Sequence, residues 1–197
     1  MEQLKERIRT DGRVLGRDIL KVDSFLNHQL DPAMMQAIGR EFAARFAGAG
    51  VTKILTIEAS GIAVALATAM EMQVPVLFAK KTRASTQVDG VYTAEVHSFT
   101  RQETRTIAVS SQFLSPGDRV LILDDFLAHG EATAGLISLV DQAGAELVGI
   151  GIVVEKGFQE GGRRLRSQGV RLESLVVIAE LSPESIRFAD EPAPTKI

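Results

Sequence analysis

The feature that most constrains the fold is a run of four apolar residues, 120–123, followed by two adjacent aspartates, Asp124 and Asp125. The run has no polar alternation, so it suits a strand buried on both faces, as in a parallel sheet covered by helices. The aspartates would lie at the carboxyl end of that strand, the edge where open α/β sheets bind ligands. A turn at 128–130 then leads into a predicted helix, whose free N–H groups favour phosphate. The stretch predicts a sugar-phosphate site; the alternative is two solvated acids that end a core strand.

Strand and helix patterns alternate along most of the chain. The predicted strands are residues 51–57, 74–79, 146–154 and 170–178, with an edge strand at 186–188. The predicted helices are residues 2–10, 31–46, 131–143 and an Ala-rich helix that follows the turn 58–62 and reaches about residue 72, and residues 163–168 are predicted as a brief helical turn. The second helix begins at Asp31-Pro32 because Asp caps a helix and Pro suits its first turn. Residues 91–98 and 106–110 are predicted to pair as an antiparallel hairpin, and residues 13–30 as short strands and loop. The pattern predicts an α/β fold with a doubly wound, mostly parallel sheet, helices on both faces and an antiparallel flap.

Composition excludes several classes of protein. The chain has 22 basic and 25 acidic residues, a net charge of −3, which does not favour a nucleic-acid surface. It has no cysteine, so disulfides and thiolate chemistry are excluded. It shows neither a signal-peptide core nor an apolar run long enough for a membrane span, and we expect a cytoplasmic protein with no membrane partner. No Gly-x-x-x-x-Gly-Lys-Ser/Thr run is present, which argues against a nucleotide-kinase site.

The acidic stretch resembles the signature with which type I phosphoribosyltransferases bind 5-phosphoribosyl 1-diphosphate (PRPP). The resemblance implies that Asp124 and Asp125 are catalytic and face the 2′- and 3′-hydroxyls of the ribose. Residues 21–29, 57–63 and 149–156 are similar to the branch of the family that uses xanthine, and this similarity spans essentially the whole chain. The resemblance implies a single phosphoribosyltransferase domain over 1–197, in which residues 1–30 form a hood over the base and residues 190–197 a frayed tail.

The same resemblance assigns the remaining contacts residue by residue. It implies that the base is held by Leu20, Asn27 and Lys156. It implies that the 5′-phosphate of PRPP is held by Ala128, His129, Gly130, Glu131 and Ala132. It implies that pyrophosphate is held by Glu58, Ala59, Ser60, Gly61, Lys80 and Lys81, with Arg83 beside them in an exposed basic loop, 80–87. An ordinary helix cap at Ser60 and a solvated basic loop are the alternatives.

Two residues depart from the family pattern of the phosphate loop, which usually carries hydroxyl, glycine or uncharged polar residues. This chain has His129 and Glu131 there, and a carboxylate near phosphate would repel it. We expect the backbone amides to bind the phosphate while both side chains point outward, with His129 at the surface. Glu131, in the first turn of the helix, would then interact favourably with the helix dipole.

The resemblance implies transfer of the phosphoribosyl group from PRPP to N9 of xanthine by a homodimer, with Mg²⁺ bound together with PRPP. No metal ligand is assigned directly. Lys156 can donate to a 6-oxo oxygen, which disfavours adenine, but nothing in the sequence separates xanthine from guanine or hypoxanthine. The other alternative is a regulator that senses PRPP or purines with the same fold. The absence of a DNA-binding extension and the net charge argue against DNA binding, so we expect no nucleic-acid partner, with RNA binding by a basic face as the alternative.

Overall fold

The structure, a computed structural model, describes residues 1–16, 18–82, 90–98 and 103–192. The helices are α1 (Glu2–Asp11), α2 (Pro32–Arg45), α3 (Gly61–Met72), α4 (Glu131–Gln142) and α5 (Gly161–Ser167). The strands are β1 (Arg13–Leu15), β2 (Ile19–Lys21), β3 (Lys53–Ile57), β4 (Val76–Thr82), β5 (Val91–Ser98), β6 (Glu103–Ser110), β7 (Arg119–Leu127), β8 (Glu146–Lys156), β9 (Leu172–Ser182) and β10 (Ser185–Phe188). A π-helical turn covers Asp23–Asn27.

Within these ranges eight strands form one sheet in the order β10-β9-β8-β7-β3-β4-β6-β5. The five strands from β9 to β4 are parallel, whereas β10 at one edge and the β5–β6 hairpin at the other are antiparallel. The chain winds from β3 outward to β4 and then returns to β7 on the other side of β3. The predicted doubly wound sheet with an antiparallel flap is confirmed, and its switch point lies between β3 and β7.

The run 120–123 is buried on both faces of the sheet, as predicted. Leu121 and Leu123 pack into a core with α1, α2 and α3, whereas Val120 and Ile122 pack into a second core with α4. All four side chains are 0% exposed. The apolar run therefore joins two cores across the middle of the sheet, and this fixes the position of the aspartates that follow it.

The predicted start of α2 is confirmed in atomic detail. Asp31 Oδ1 accepts hydrogen bonds from the N–H groups of Ala33 (3.0 Å) and Met34 (3.1 Å). Pro32 occupies the first helical position, where its missing N–H costs nothing. The other predicted helices and strands are also present, and most of their ends agree within two residues.

Two predictions about strand ends are wrong. The acidic strand does not end at Leu123 but continues through both aspartates to Leu127, because β8 runs beside it as far as Lys156. The predicted exposed loop 80–87 begins as strand, since Lys80 pairs with Ala108 on β6. The rest of that loop, including Arg83, lies outside the described residues, as do residues 193–197 of the predicted tail. Over the part of the chain that the structure describes, no helix is long and apolar enough to cross a membrane.

Candidate active site

A cavity of about 460 Å³ lies at the switch point of the sheet. Its walls come from the loop after β3, the end of β7, the start of α4 and the facing side of the β5–β6 hairpin. It brings together most of the predicted sugar-phosphate residues: Glu58, Ala59, Ser60, Lys81, Asp124, Asp125, Ala128, His129, Gly130, Glu131 and Ala132. The predicted residues that do not line it are Leu20, Asn27, Gly61, Lys80 and Lys156.

The aspartate pair lies at the cavity wall in two different environments. Asp124 is 5% exposed, whereas Asp125 is half-buried. The N–H of Asp125 donates to Asp124 Oδ1 at 2.9 Å. Burial, followed by the neighbouring charge of Asp125, raises the pKa of Asp124 well above its ordinary value. The fold therefore buries the carboxyl of Asp124 and disfavours its ionised form, while the carboxyl of Asp125 stays accessible to the cavity.

The loop after β3 is fixed against β4. Glu58 Oε1 accepts the N–H of Lys81 at 2.5 Å, and the N–H of Glu58 donates to Ala79 O at 3.1 Å. These bonds hold the small residues Ala59 and Ser60 at the cavity wall. Strand alternation separates the two lysines, so that Lys81 reaches the cavity while Lys80 lies 6.0 Å from the ring centre of Phe78.

Gly61 acts behind the cavity rather than in its wall. A Cβ atom at this position would lie 2.2 Å from Thr56 Oγ1 and 2.9 Å from Asp124 Oδ1. Only glycine lets the first turn of α3 approach the buried aspartate this closely. The structure therefore gives Gly61 a packing role that the sequence pattern alone does not distinguish from pyrophosphate contact.

The phosphate loop ends at Gly130, whose φ of +87° favours glycine, and α4 begins at the next residue. The first intrahelical N–H is that of Ala134, which donates to Gly130 O at 2.9 Å, so the preceding amides face the helix end. Both unusual residues line the cavity, and their side chains contact the segment after β8, whereas the sequence predicts side chains that point outward. Glu131 Oε1 accepts from Arg164, and His129 Nδ1 lies 3.3 Å from Glu160 Oε1.

Sequence reasoning missed two groups of residues around the cavity. The hairpin, predicted as an antiparallel flap with no site residues assigned to it, contributes Val96, His97, Glu103, Arg105 and Ile107. The segment after β8, where the sequence predicts only a brief helical turn at 163–168, supplies Glu160 and Arg164 as the partners of His129 and Glu131. The alternation of residues 91–98 gave a weak signal for the first group, but no local pattern shows which loop α5 will contact.

Of the three predicted base-binding residues, Lys156 lies beside the cavity. Lys156 Nζ lies 5.9 Å from the ring centre of Phe126, which lines the cavity, and donates to Asp18 O at 2.6 Å. Burial lowers the pKa of Lys156. Leu20 is buried, and Asn27 Oδ1 is buried with no hydrogen-bond partner among the described residues. Lys156 thus connects the cavity to the segment that carries the other two residues.

The carboxylates at the cavity are oxygen donors, which suit a hard cation such as Mg²⁺. Among the residues that the structure describes, no group of three or more His, Cys, Asp or Glu side chains could hold a metal by itself. The donor set therefore fits an ion that shares its coordination with phosphate and water oxygens, as Mg²⁺ commonly does.

Residues 27–186 match the model of the phosphoribosyl transferase domain. The chain is 58% identical to a xanthine phosphoribosyltransferase of Heliobacterium modesticaldum, over 96% of this chain and 100% of the relative. It is 57% identical to a protein of the same name from Moorella thermoacetica, over 95% of this chain and 96% of the relative.

Solved adenine phosphoribosyltransferases share the fold. The Rhodothermus marinus structure has a TM-score of 0.73 at 22% identity and covers 90% of this chain and 100% of that chain. The Trypanosoma brucei structure has a TM-score of 0.75 at 20% identity and covers 98% of this chain and 87% of that chain. With near full-length identity above 50% to the bacterial relatives, the chain belongs to the xanthine phosphoribosyltransferase branch of the type I phosphoribosyltransferase family.

Proposed function

We propose that the protein transfers the 5-phosphoribosyl group from PRPP to N9 of xanthine, giving XMP and pyrophosphate. The observation that carries this proposal is the single cavity in which an aspartate pair lies beside the N-terminus of α4 at the switch point of the sheet. Carboxylates there can bind ribose hydroxyls, and helix amides can bind the 5′-phosphate of the same sugar. The names of the relatives at 58% and 57% identity support xanthine as the acceptor.

The aspartates would orient the ribose, and the accessible Asp125 would stabilise the charge that develops on it. When pyrophosphate leaves, positive charge appears on the ribose ring, and nearby carboxylates lower the energy of that state. Asp125, the accessible member of the pair, would accept a hydrogen bond from a ribose hydroxyl. Asp124 Oδ1 accepts the N–H of Asp125 and so fixes its backbone from the buried side.

Pyrophosphate would lie between the loop after β3 and the hairpin. Ser60 offers a hydroxyl, small residues allow close approach to the backbone, and Lys81 and Arg105 bring positive charge to the same cavity. Mg²⁺, when bound with PRPP, neutralises part of the diphosphate charge and so helps it to depart. The enclosing hairpin helps to exclude water, which would otherwise hydrolyse PRPP.

The base would be held between the hood segment and the end of β8. Asn27 Oδ1 is a buried acceptor that needs an N–H donor, and a purine dione supplies such groups. Lys156 is a donor for a ring carbonyl once the base displaces its bond to Asp18 O. A 6-amino group would face the ammonium without an acceptor, so adenine is disfavoured.

Incubation of the purified protein with PRPP, Mg²⁺ and each purine base tests this function. We expect XMP and pyrophosphate with xanthine, slower reaction with guanine and hypoxanthine, and none with adenine. Faster formation of GMP or IMP would show that guanine or hypoxanthine, not xanthine, is the preferred acceptor. PRPP binding without turnover on any base would favour a sensing protein. A cytoplasmic homodimer is part of the same proposal, and light scattering of the purified protein tests its dimeric state.

A further inference from the structure

We propose that Arg164 is a positioning residue for PRPP, because it holds and neutralises Glu131 at the phosphate loop. Glu131 is the first residue of α4, the helix end at which the 5′-phosphate would bind. This inference rests on the proposed function and deepens it. It assigns a role to a helix, α5, that contributes no residue to the cavity wall.

The geometry places one guanidinium across the carboxylate. Arg164 Nη1 and Nη2 both donate to Glu131 Oε1 at 3.2 Å. The two side chains are 39% and 31% exposed, so the pair is partly shielded from water. A Cβ atom on Gly130 would lie 3.3 Å from Arg164 Nη2. The guanidinium therefore lies against the glycine of the phosphate loop as well as against Glu131.

The start of α5 is fixed to the phosphate loop. The N–H of Gly161 donates to Ala128 O at 3.1 Å. A Cβ atom on Gly161 would lie 2.4 Å from Ala128 O and 2.9 Å from Gly130 N, so only glycine permits this contact. The backbone of α5 thus touches the loop directly, and this fixes the distance from which Arg164 can reach Glu131.

The far end of α5 is fixed to the sheet. Arg166 forms two hydrogen bonds of 2.7 Å to Glu155, whose side chain is 3% exposed and which also accepts a bond from Ser174 Oγ. Glu155 immediately precedes Lys156 on β8. Because α5 is anchored at both ends, the backbone of Arg164 has little freedom to move, as expected for a residue that positions another.

Charge explains why this arrangement favours PRPP. An unpaired carboxylate in the first turn of α4 would repel a phosphate dianion and compete with it for the same amides and helix dipole. The guanidinium cancels that charge and keeps the carboxylate on the α5 side. The backbone amides of the turn then remain available for the phosphate.

The test uses Arg164→Met, Glu131→Gln and the double variant, with Arg163→Met as the matched control. Arg163 is exposed on the same helix, and its removal changes the net charge equally. We expect Arg164→Met to raise the KM for PRPP by about three- to fivefold, the upper part of the range for a partly exposed charge pair, with kcat and the KM for xanthine unchanged. The double variant should return to within about twofold of the wild type because no carboxylate remains to be neutralised. Arg163→Met should keep the KM for PRPP within the same roughly twofold range.

Other outcomes overturn the inference. A double variant with a KM for PRPP as high as that of Arg164→Met would show that Arg164 does not act through Glu131. An equal rise in KM for Arg163→Met would show that the change in net charge alone is the cause. If Arg164→Met folds poorly, Glu131→Gln tests the proposal by itself. Calorimetry should show that this variant binds PRPP at least as tightly as the wild type, and weaker binding contradicts the proposal. A wild-type protein that fails to bind PRPP would refute the proposed function itself, which separates the two failures.

Discussion

At the scale of single residues, the cavity contains a carboxyl group whose ionised form is disfavoured by the fold. Asp124 is buried beside Asp125, and burial followed by that neighbouring charge raises its pKa. A folded-state pKa above the unfolded value means that the folded protein binds the proton more tightly. The stabilising contribution is therefore present below the unfolded pKa and is lost as the pH rises through the folded one.

Asp124→Asn should stabilise the ligand-free protein at pH 8 while it impairs turnover. Asparagine keeps an oxygen for the N–H of Asp125 but removes the buried charge. We expect a gain of roughly 1–3 kcal/mol in the free energy of unfolding at pH 8 and a smaller gain at pH 5, as for relief of an unfavourably buried charge. Urea denaturation at both pH values measures it, with Glu184→Gln in the exposed β9–β10 turn as the control. An equal gain at both pH values would show that charge burial is not the cause.

Asp125→Asn should act on chemistry more than on stability. Asp125 is half-buried at the cavity wall, where its carboxylate can accept a ribose hydroxyl and face the developing charge. We expect kcat to fall about 100-fold, the effect of removing one electrostatic contact to a transition state, with little change in the melting temperature. Steady-state kinetics with saturating PRPP and xanthine measures it. Unchanged kinetics would remove Asp125 from the mechanism.

At the scale of elements, the sequence predicted the features that depend on residues close together in the chain. The cap at Asp31 and the apolar run of β7 depend on neighbours in sequence, and both were correct. The extension of β4 to Thr82 depends on its pairing with β6, more than 20 residues later, and could not be seen locally. That residues 124–132 line one cavity was predictable for the same reason, because they are contiguous. The contact of Arg164 with Glu131 joins residues that are 33 positions apart, and it was missed.

The attachment of α5 to β8 should be sensitive to loss of Arg166. Burial raises the pKa of Glu155, but hydrogen bonds from Arg166 and Ser174 outweigh it, so the pKa lies below its ordinary value of 4.5. Arg166→Met leaves this carboxylate buried with the Ser174 hydrogen bond but without its arginine partner. Because Arg166 is itself 46% exposed, we expect a loss of about 2–3 kcal/mol at pH 7, the lower end for a broken buried pair.

The pH dependence of that loss identifies its cause. In the wild type, the stabilising contribution of ionised Glu155 is present above pH 4.5 and is lost as the pH falls through the lowered pKa. In Arg166→Met the unpaired carboxyl can instead take up a proton at low pH, so the difference between the two proteins should shrink from pH 7 to pH 4. Denaturant unfolding at several pH values measures this, and a loss independent of pH would point to packing alone.

At the scale of the whole molecule, helix α1 contacts β9 and Asp190 and shares a core with the segment 13–30. Lys5 of α1 is buried and pairs with Asp190, and the amino group of Met1 donates to Leu175 O at 3.2 Å. Leu4 and Ile8 lie in the same core as the four buried apolar residues of the segment 13–30, namely Leu20, Val22, Phe25 and Leu26. Helix α1 therefore supports the segment that would hold the base, whereas the phosphate half of the site rests on α4 and the other core.

This division predicts that Leu4→Ala impairs base binding selectively. Leu4 is 0% exposed, and its truncation should cost about 2–4 kcal/mol through the cavity that it leaves. We expect faster hydrogen exchange in residues 13–27 and a raised KM for xanthine, with the KM for PRPP unchanged, because Asn27 lies in the loosened segment. Leu139→Ala is the matched control, since Leu139 is equally buried but belongs to the α4 core. It should lose similar stability without the selective effect on xanthine, and equal changes in both KM values for Leu4→Ala would show that the two halves of the site are not held separately.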